Sequence, residues 1–163
     1  RKASGESVKH CLKISEDYIK GSQPRVSDYR ETFRFMGIRS VLDLCSPADL
    51  VDPLRFPQHE INALGLAKQY AYRNYPMFVG EVDIDLARAV IGVLESMEKP
   101  VYFHCVRGRD RSGFVAALLR VKVCGWPADN AVNERERMHP LDIPAYREVI
   151  RQYAKECACK KST

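Results

Sequence analysis

Cys105 and Arg111 are separated by five residues in the segment His104-Cys105-Val106-Arg107-Gly108-Arg109-Asp110-Arg111-Ser112. The apolar run Pro100-Val101-Tyr102-Phe103 precedes it, and an apolar helical pattern opens near Gly113. The segment therefore reads as a strand, a tight loop and a helix start. Backbone N–H groups at a helix N-terminus point outward with partial positive charge, so such a loop receives an anion. A cysteine in the same field is favoured as thiolate, its nucleophilic form. An arginine closing the loop holds two oxygens of a phosphate in its fork. A nucleophile, an amide cradle and a guanidinium clamp are the equipment for phosphoryl transfer through a phosphocysteine.

His104, Cys105, Gly108, Arg111, Ser112 and Gly113 match the pattern His-Cys, any two residues, Gly, any two, Arg, Ser or Thr, Gly. The segment resembles the signature loop of cysteine-dependent phosphatases. That resemblance implies that Cys105 attacks phosphorus and that Arg111 holds the phosphoryl oxygens. It also implies that Ser112 hydrogen-bonds the sulfur and helps expel it, and that His104 orients the loop and supports the thiolate. Val106, Arg107, Gly108 and Arg109 would contact substrate from the same loop. Two stretches, Gly21-Ser22-Gln23-Pro24 and Gly37-Ile38-Arg39-Ser40-Val41-Leu42-Asp43-Leu44, resemble the entry of small atypical dual-specificity phosphatases. Tyr75-Pro76-Met77 and Gly125-Trp126-Pro127 sit at family-like spacings, so the resemblance covers most of residues 18–155. Protein-tyrosine-phosphatase-like phytases and inositol pyrophosphate phosphatases share the plan. The implied fold is α/β and protein-tyrosine-phosphatase-like, a central mostly parallel sheet flanked by helices. Strands alternating with helical patterns point to an α/β layered domain independently.

The general acid has three readings. Relatives place an Asp on a loop upstream of the signature. Here that loop reads Met77-Phe78-Val79-Gly80-Glu81-Val82-Asp83. Asp83 or Glu81 would have to reach the site, and Asp83 suits the cap of the following helix equally well. Asp110 is the second candidate, because its Asp-Arg pair resembles the loops of myotubularin-like lipid phosphatases; a brace paired with an arginine is its other role. A site with no dedicated acid is the third reading, and phosphoanhydride or highly phosphorylated leaving groups tolerate it best.

Arg107 and Arg109 add positive charge inside the loop, and Lys68 and Arg73 are candidates to extend it. Such a rim suits an anionic substrate with several phosphates. Inositol polyphosphate is favoured, with phosphotyrosine protein as the alternative and a phosphate-binding module without catalysis as a third reading. Asp43-Leu44-Cys45 resembles the Asn-Leu-Cys segment of the phosphatase-and-tensin lipid phosphatases. The resemblance implies a reversible disulfide between Cys45 and the nucleophile; a small buried residue at a strand end is the alternative.

The 163 residues are 45% hydrophobic and 29% charged, which fits one phosphatase domain spanning the chain. A net charge of +5 favours anionic ligands. The basic residues are dispersed without interleaved aromatics, so no nucleic-acid partner is expected. No apolar run is long enough for a membrane span. The six cysteines form no paired CxxC elements, so no metal is expected, and loop amides with Arg111 make a cofactor unnecessary. A reduced thiol favours the cytoplasm, while Arg1 as first residue leaves the compartment open.

The elements that must position the loop follow from periodicity. Residues 1–12 read as an extended arm. Ser27 caps a helix with Tyr29, Phe33 and Met36 on one face, closed by Gly37. Strands are expected over 38–44, 68–75 and 101–104, and a helix over 58–66 with Ile61 and Leu64 inside. Pro47, Pro53 and Pro57 punctuate an irregular stretch. From Asp83, Leu86, Val90, Val93, Leu94 and Met97 share a helical face. A nearly all-apolar helix over 111–124 is expected to be central. Helices over 128–138 and 143–155 follow, and 156–163 reads as a frayed tail.

Overall fold

Alternating side chains build the layer that carries the loop. The computed structural model describes residues 11–139 and 142–162, and its strands are β1 (Leu12–Lys13), β2 (Tyr18–Gly21), β3 (Ser40–Asp43), β4 (Arg73–Asn74) and β5 (Val101–His104). They form one sheet in the order β1-β2-β5-β3-β4, parallel throughout except for the β1–β2 pair. Every residue of β2, β3 and β5 is buried, as expected of parallel strands covered on both faces. Val41 and Tyr102 turn to one face, where they meet Tyr29, Phe33, Ile61 and Tyr70. Leu42 and Phe103, their neighbours along the chain, turn to the other face.

The first face is covered by α1 (Phe33–Met36), which continues a π-helical turn over Asp28–Thr32, and by α2 (Pro57–Ala63). The second is covered by α3 (Ile84–Ser96), α4 (Arg111–Lys122), α5 (Ala128–Met138) and α6 (Pro144–Ser162). All residues of α4 from Arg111 to Leu119 are buried, so the helix that follows the loop runs through the core. Removing any of its Leu or Phe side chains costs about 2–5 kcal/mol by cavity formation. None of the described helices is long and apolar enough to cross a membrane.

Several expectations need correction. Ser27 makes no side-chain cap; Asp28 Oδ2 takes the Arg25 N–H and Oδ1 the Thr32 hydroxyl instead. Leu64 is 46% exposed, because α2 ends at Ala63 and Leu64 caps it outside the buried face. The strand expected over 68–75 shrinks to Arg73–Asn74, since Ala67–Tyr70 is a 3-10 turn and Ala71 takes φ 47°, which breaks extension. The tail does not fray at 156, because α6 continues to Ser162. The arm over 1–12 lies outside the described residues up to 10, and Leu12–Lys13 pair with β2.

Candidate active site

β5 ends at His104 and α4 begins at Arg111, so the segment between them is the loop at the carboxyl edge of the sheet. Gly108 adopts φ +72°, and a Cβ there would lie 2.7 Å from Gly21 C and Ser22 N. Only glycine fits, for both reasons. The loop is also tied from beneath. Gln23 N donates to Val106 O at 3.0 Å, and the buried Lys20 ammonium donates to Gly108 O. Burial lowers the Lys20 pKa, while the nearby Cys105 pulls it back up.

Cys105 is buried, and its Sγ lies 3.3 Å from Ser112 Oγ. His104 is fully buried and its Nδ1 lies 3.0 Å from the Cys105 carbonyl. A carbonyl only accepts, so the His104 proton sits on Nδ1. Nε2 has no partner, in keeping with burial lowering the His104 pKa and holding the ring neutral.

Arg111 shows how the guanidinium is divided. Nη1 donates to Asp49 Oδ2 at 2.7 Å and to Met77 O at 3.0 Å, and Nη2 donates to Asp49 Oδ1 at 3.0 Å. Nε has no partner. Of the five N–H donors, the Nε–H and the second Nη2–H remain, and they form one fork. That fork is the edge available to a phosphate. The cost of burying Arg111 is outweighed by its bonds to Asp49 and its attraction to Cys105, which raise its pKa further. Burial would raise the Asp49 pKa, but Arg111 and the Ser46 N–H hold it below the ordinary carboxylate value. Sequence reasoning missed Asp49; its only local signal is the capping box it makes with Ser46.

The structure treats the two acid candidates differently. Asp83 is exposed, and its Oδ1 accepts the Leu86 N–H at 2.8 Å as the cap of α3. Asp110 stands at the N-cap of α4 without capping it, and its Oδ1 is buried with no partner. Its carboxylate bonds the Tyr146 hydroxyl, which also accepts the Gly80 N–H at 3.0 Å. Burial, and then that bond, push the Tyr146 pKa well up, so Tyr146 stays a donor. Arg135 stacks over the Tyr146 ring at 4.8 Å.

Arg107 donates to Asp52 at 2.9 Å and is 56% exposed. Arg109 is half-buried at the mouth. Lys68 is exposed on its 3-10 turn, and Arg73 reaches Ser96 at the C-terminal turn of α3. Cys45 is buried beyond the end of β3, and burial followed by the Asp43 charge pushes its thiol well up. Asp43, Cys45 and His104 bring their polar atoms within 4.8 Å of one another. Arg55 Nη2 already holds Asp43 at 2.7 Å, and the Tyr72 hydroxyl bonds the same carboxylate, so a guanidinium stands where a metal would compensate the charge.

Known proteins resemble the chain in sequence family and in fold. The family model described as "Tyrosine phosphatase family" matches residues 12–162. The chain belongs to this family. Its enzymes, like the relatives below, are cysteine-dependent phosphatases. The chain is 34% identical over 64 residues to the dual specificity protein phosphatase TpbA of Pseudomonas aeruginosa (strain UCBPP-PA14), a match covering 38% of the chain and 29% of that relative. The chain thus matches less than a third of TpbA's length. The crystal structure of P. aeruginosa TpbA in complex with pTyr has a TM-score of 0.70 at 19% identity, over 91% of this chain and 90% of that one. The core catalytic domain of the PP-IP phosphatase SIW14 from S. cerevisiae, in complex with citrate, has a TM-score of 0.68 at 20% identity, over 94% and 93%. PTPMT1 in complex with PI(5)P has a TM-score of 0.70 at 15% identity, over 94% and 99%. These solved structures share the fold.

Proposed function

We propose that this phosphatase hydrolyses phosphomonoesters on a phosphorylated inositol ring, inositol polyphosphates foremost, through a phosphocysteine on Cys105. The loop amides and the open Nε–Nη2 fork of Arg111 hold the phosphoryl oxygens. Cys105 Sγ attacks phosphorus, and Asp110 gives a proton to the departing oxygen. Water then attacks the phosphocysteine as Asp110 takes its proton, and Ser112 stabilises the departing sulfur. Asp83 is spent on its helix cap, which favours Asp110. His104, Val106 and Gly108 shape the cradle, and Arg107 and Arg109 meet further phosphates. Cys45 serves as the redox partner of Cys105.

The observation that carries the reading is the division of Arg111, with one edge fixed by Asp49 and the other left open beside Cys105. Support for the inositol ring comes from the arginines at the mouth and from two relatives, one described as a PP-IP phosphatase and one in complex with PI(5)P. The TpbA complex with pTyr supports the phosphotyrosine alternative.

A panel of inositol hexakisphosphate, other inositol phosphates and a phosphotyrosyl peptide, read by phosphate release, tests this. The inositol phosphates are expected to be favoured at least about tenfold in kcat/KM, and Cys105→Ser and Asp110→Asn to lose turnover. Preference for the peptide would assign the enzyme to phosphotyrosine. Binding without turnover at any pH would make it a phosphate-binding module.

A further inference from the structure

Large apolar side chains left in water on a globular protein are informative when they gather. Of the nine exposed among the described residues, six come from two short stretches: Leu50, Val51, Leu54 and Phe56 in one, Phe78 and Val79 in the other. Phe35 and Val123 sit at the opposite end of the sheet, before β3 and after α4. Both stretches leave from one point. Asp49 and Met77, the residues just before Leu50 and Phe78, both bond Nη1 of Arg111. Asp52, in the middle of the first stretch, holds Arg107 of the loop. The apolar side chains therefore stand on the rim of the phosphate pocket.

The rim is rigid. Prolines open its two 3-10 turns, Pro47–Val51 and Pro53–Arg55. The Ser46–Asp49 capping box closes the first, and Asp52 caps the second by accepting the Leu54 N–H. Exposure of Val51 (84%) is thus held in place, and that of Val79 (55%) by the turn in which the Glu81 N–H donates to Phe78 O at 3.1 Å. Cations share the rim: Arg107, paired with Asp52, is 56% exposed, and Arg25, 3.8 Å from the buried Asp28, is 53% exposed on the segment that Gln23 N ties to Val106 O.

We propose that this mouth docks on an anionic lipid bilayer, so that it receives lipid-borne phosphorylated inositol rings as well as soluble ones. The proposal rests on the phosphomonoesterase reading above and names a further source of its substrate. Apolar tips enter the boundary between headgroups and acyl chains while arginines remain at phosphate level, attracted by anionic lipid. The net charge of +5 acts in the same sense. A phosphopeptide is favoured less, because side chains that grip a peptide form half-buried walls. Val51 and Val79 instead project from turns. A second copy seated here would close the pocket.

The test uses the whole chain with Val51→Ser, Leu54→Ser and Val79→Ser combined, three exposed positions outside the catalytic loop. Phosphatidylcholine vesicles with about one-fifth phosphatidylserine, with and without phosphatidylinositol 5-phosphate, are floated with Cys105→Ser protein, which separates binding from turnover. The parent protein is expected to float with the anionic vesicles, and the triple variant at least about tenfold less. Turnover of the vesicle-borne lipid should fall with it, while an aryl phosphate and a soluble inositol phosphate lose less than about twofold. Equal flotation of parent and variant would overturn the proposal. So would a variant defect confined to a phosphotyrosyl peptide, or parent protein that self-associates through these residues. Loss of all turnover with flotation intact would count against the phosphatase reading alone.

Discussion

Asp49 holds Arg111 by two of its five donors, which leaves the guanidinium a single orientation. Asp49→Asn keeps one acceptor and removes the charge. Two effects oppose each other: a less compensated Arg111 attracts anions more, but its fork is no longer aimed. Positioning dominates, because misplacing a transition-state contact by about 1 Å costs about a hundredfold. Asp49→Asn is therefore expected to lower kcat by about tenfold to a hundredfold with KM little changed. A fall in KM with kcat intact would show that Asp49 merely competes with substrate. The candidate reactive residues share one local segment whose types and spacing have few other uses, so a single stretch of sequence proposes them together. Their supports were not. Asp49 lies 62 residues from Arg111 and Lys20 lies 88 from Gly108, and no local pattern signals a contact across that distance.

Strands β3 and β5 pair in parallel with Asp43 opposite His104, and Leu44 N donates to His104 O at 2.8 Å. Cys45 and Cys105 thus leave two adjacent strands at the same edge, both buried. Proximity to Cys105 also contributes to raising the Cys45 pKa, after burial and the Asp43 charge. Peroxide would convert the Cys105 thiolate to a sulfenic acid; attack by Cys45 then forms the disulfide and releases water. After mild peroxide, parent protein is expected to lose two mass units and recover activity with dithiothreitol. Cys45→Ser should pass to irreversible sulfinic acid and recover about tenfold less. Identical recovery in both would leave Cys45 a packing residue. At this scale the helices over 84–96, 111–122 and 128–138 were legible from their 3.6-residue period and breakers. The 68–75 segment was not, because its apolar residues suit a strand while Ala71 turns left-handed.

Across the molecule, one buried polar layer lies beneath the loop. Asp43 accepts from Arg55, Tyr72 and the Cys45 N–H, and Arg55 Nη1 donates to Gln23, whose own N–H holds Val106. Burial works against the Asp43 charge, but Arg55, the Tyr72 hydroxyl and the Cys45 N–H outweigh it and lower its pKa. His104 beside it is held neutral by burial. Both shifts are downward, so both groups stabilise the fold above their unfolded pKa values and lose that contribution as pH falls. His104 acts first. Below about pH 6.5 the unfolded chain takes up a proton that the buried ring refuses, costing up to about 1.4 kcal/mol per pH unit. For a domain of this size that is about 3 °C in Tm per unit. Asp43 and Asp49 add a second loss below about pH 4. Thermal unfolding between pH 8 and 4 should therefore show Tm level down to about 6.5 and falling below it. In His104→Asn, which retains a donor for the Cys105 carbonyl without a titrating ring, the fall between 6.5 and 5 should shrink. An unchanged slope in that variant would place the acid sensitivity elsewhere than under the loop.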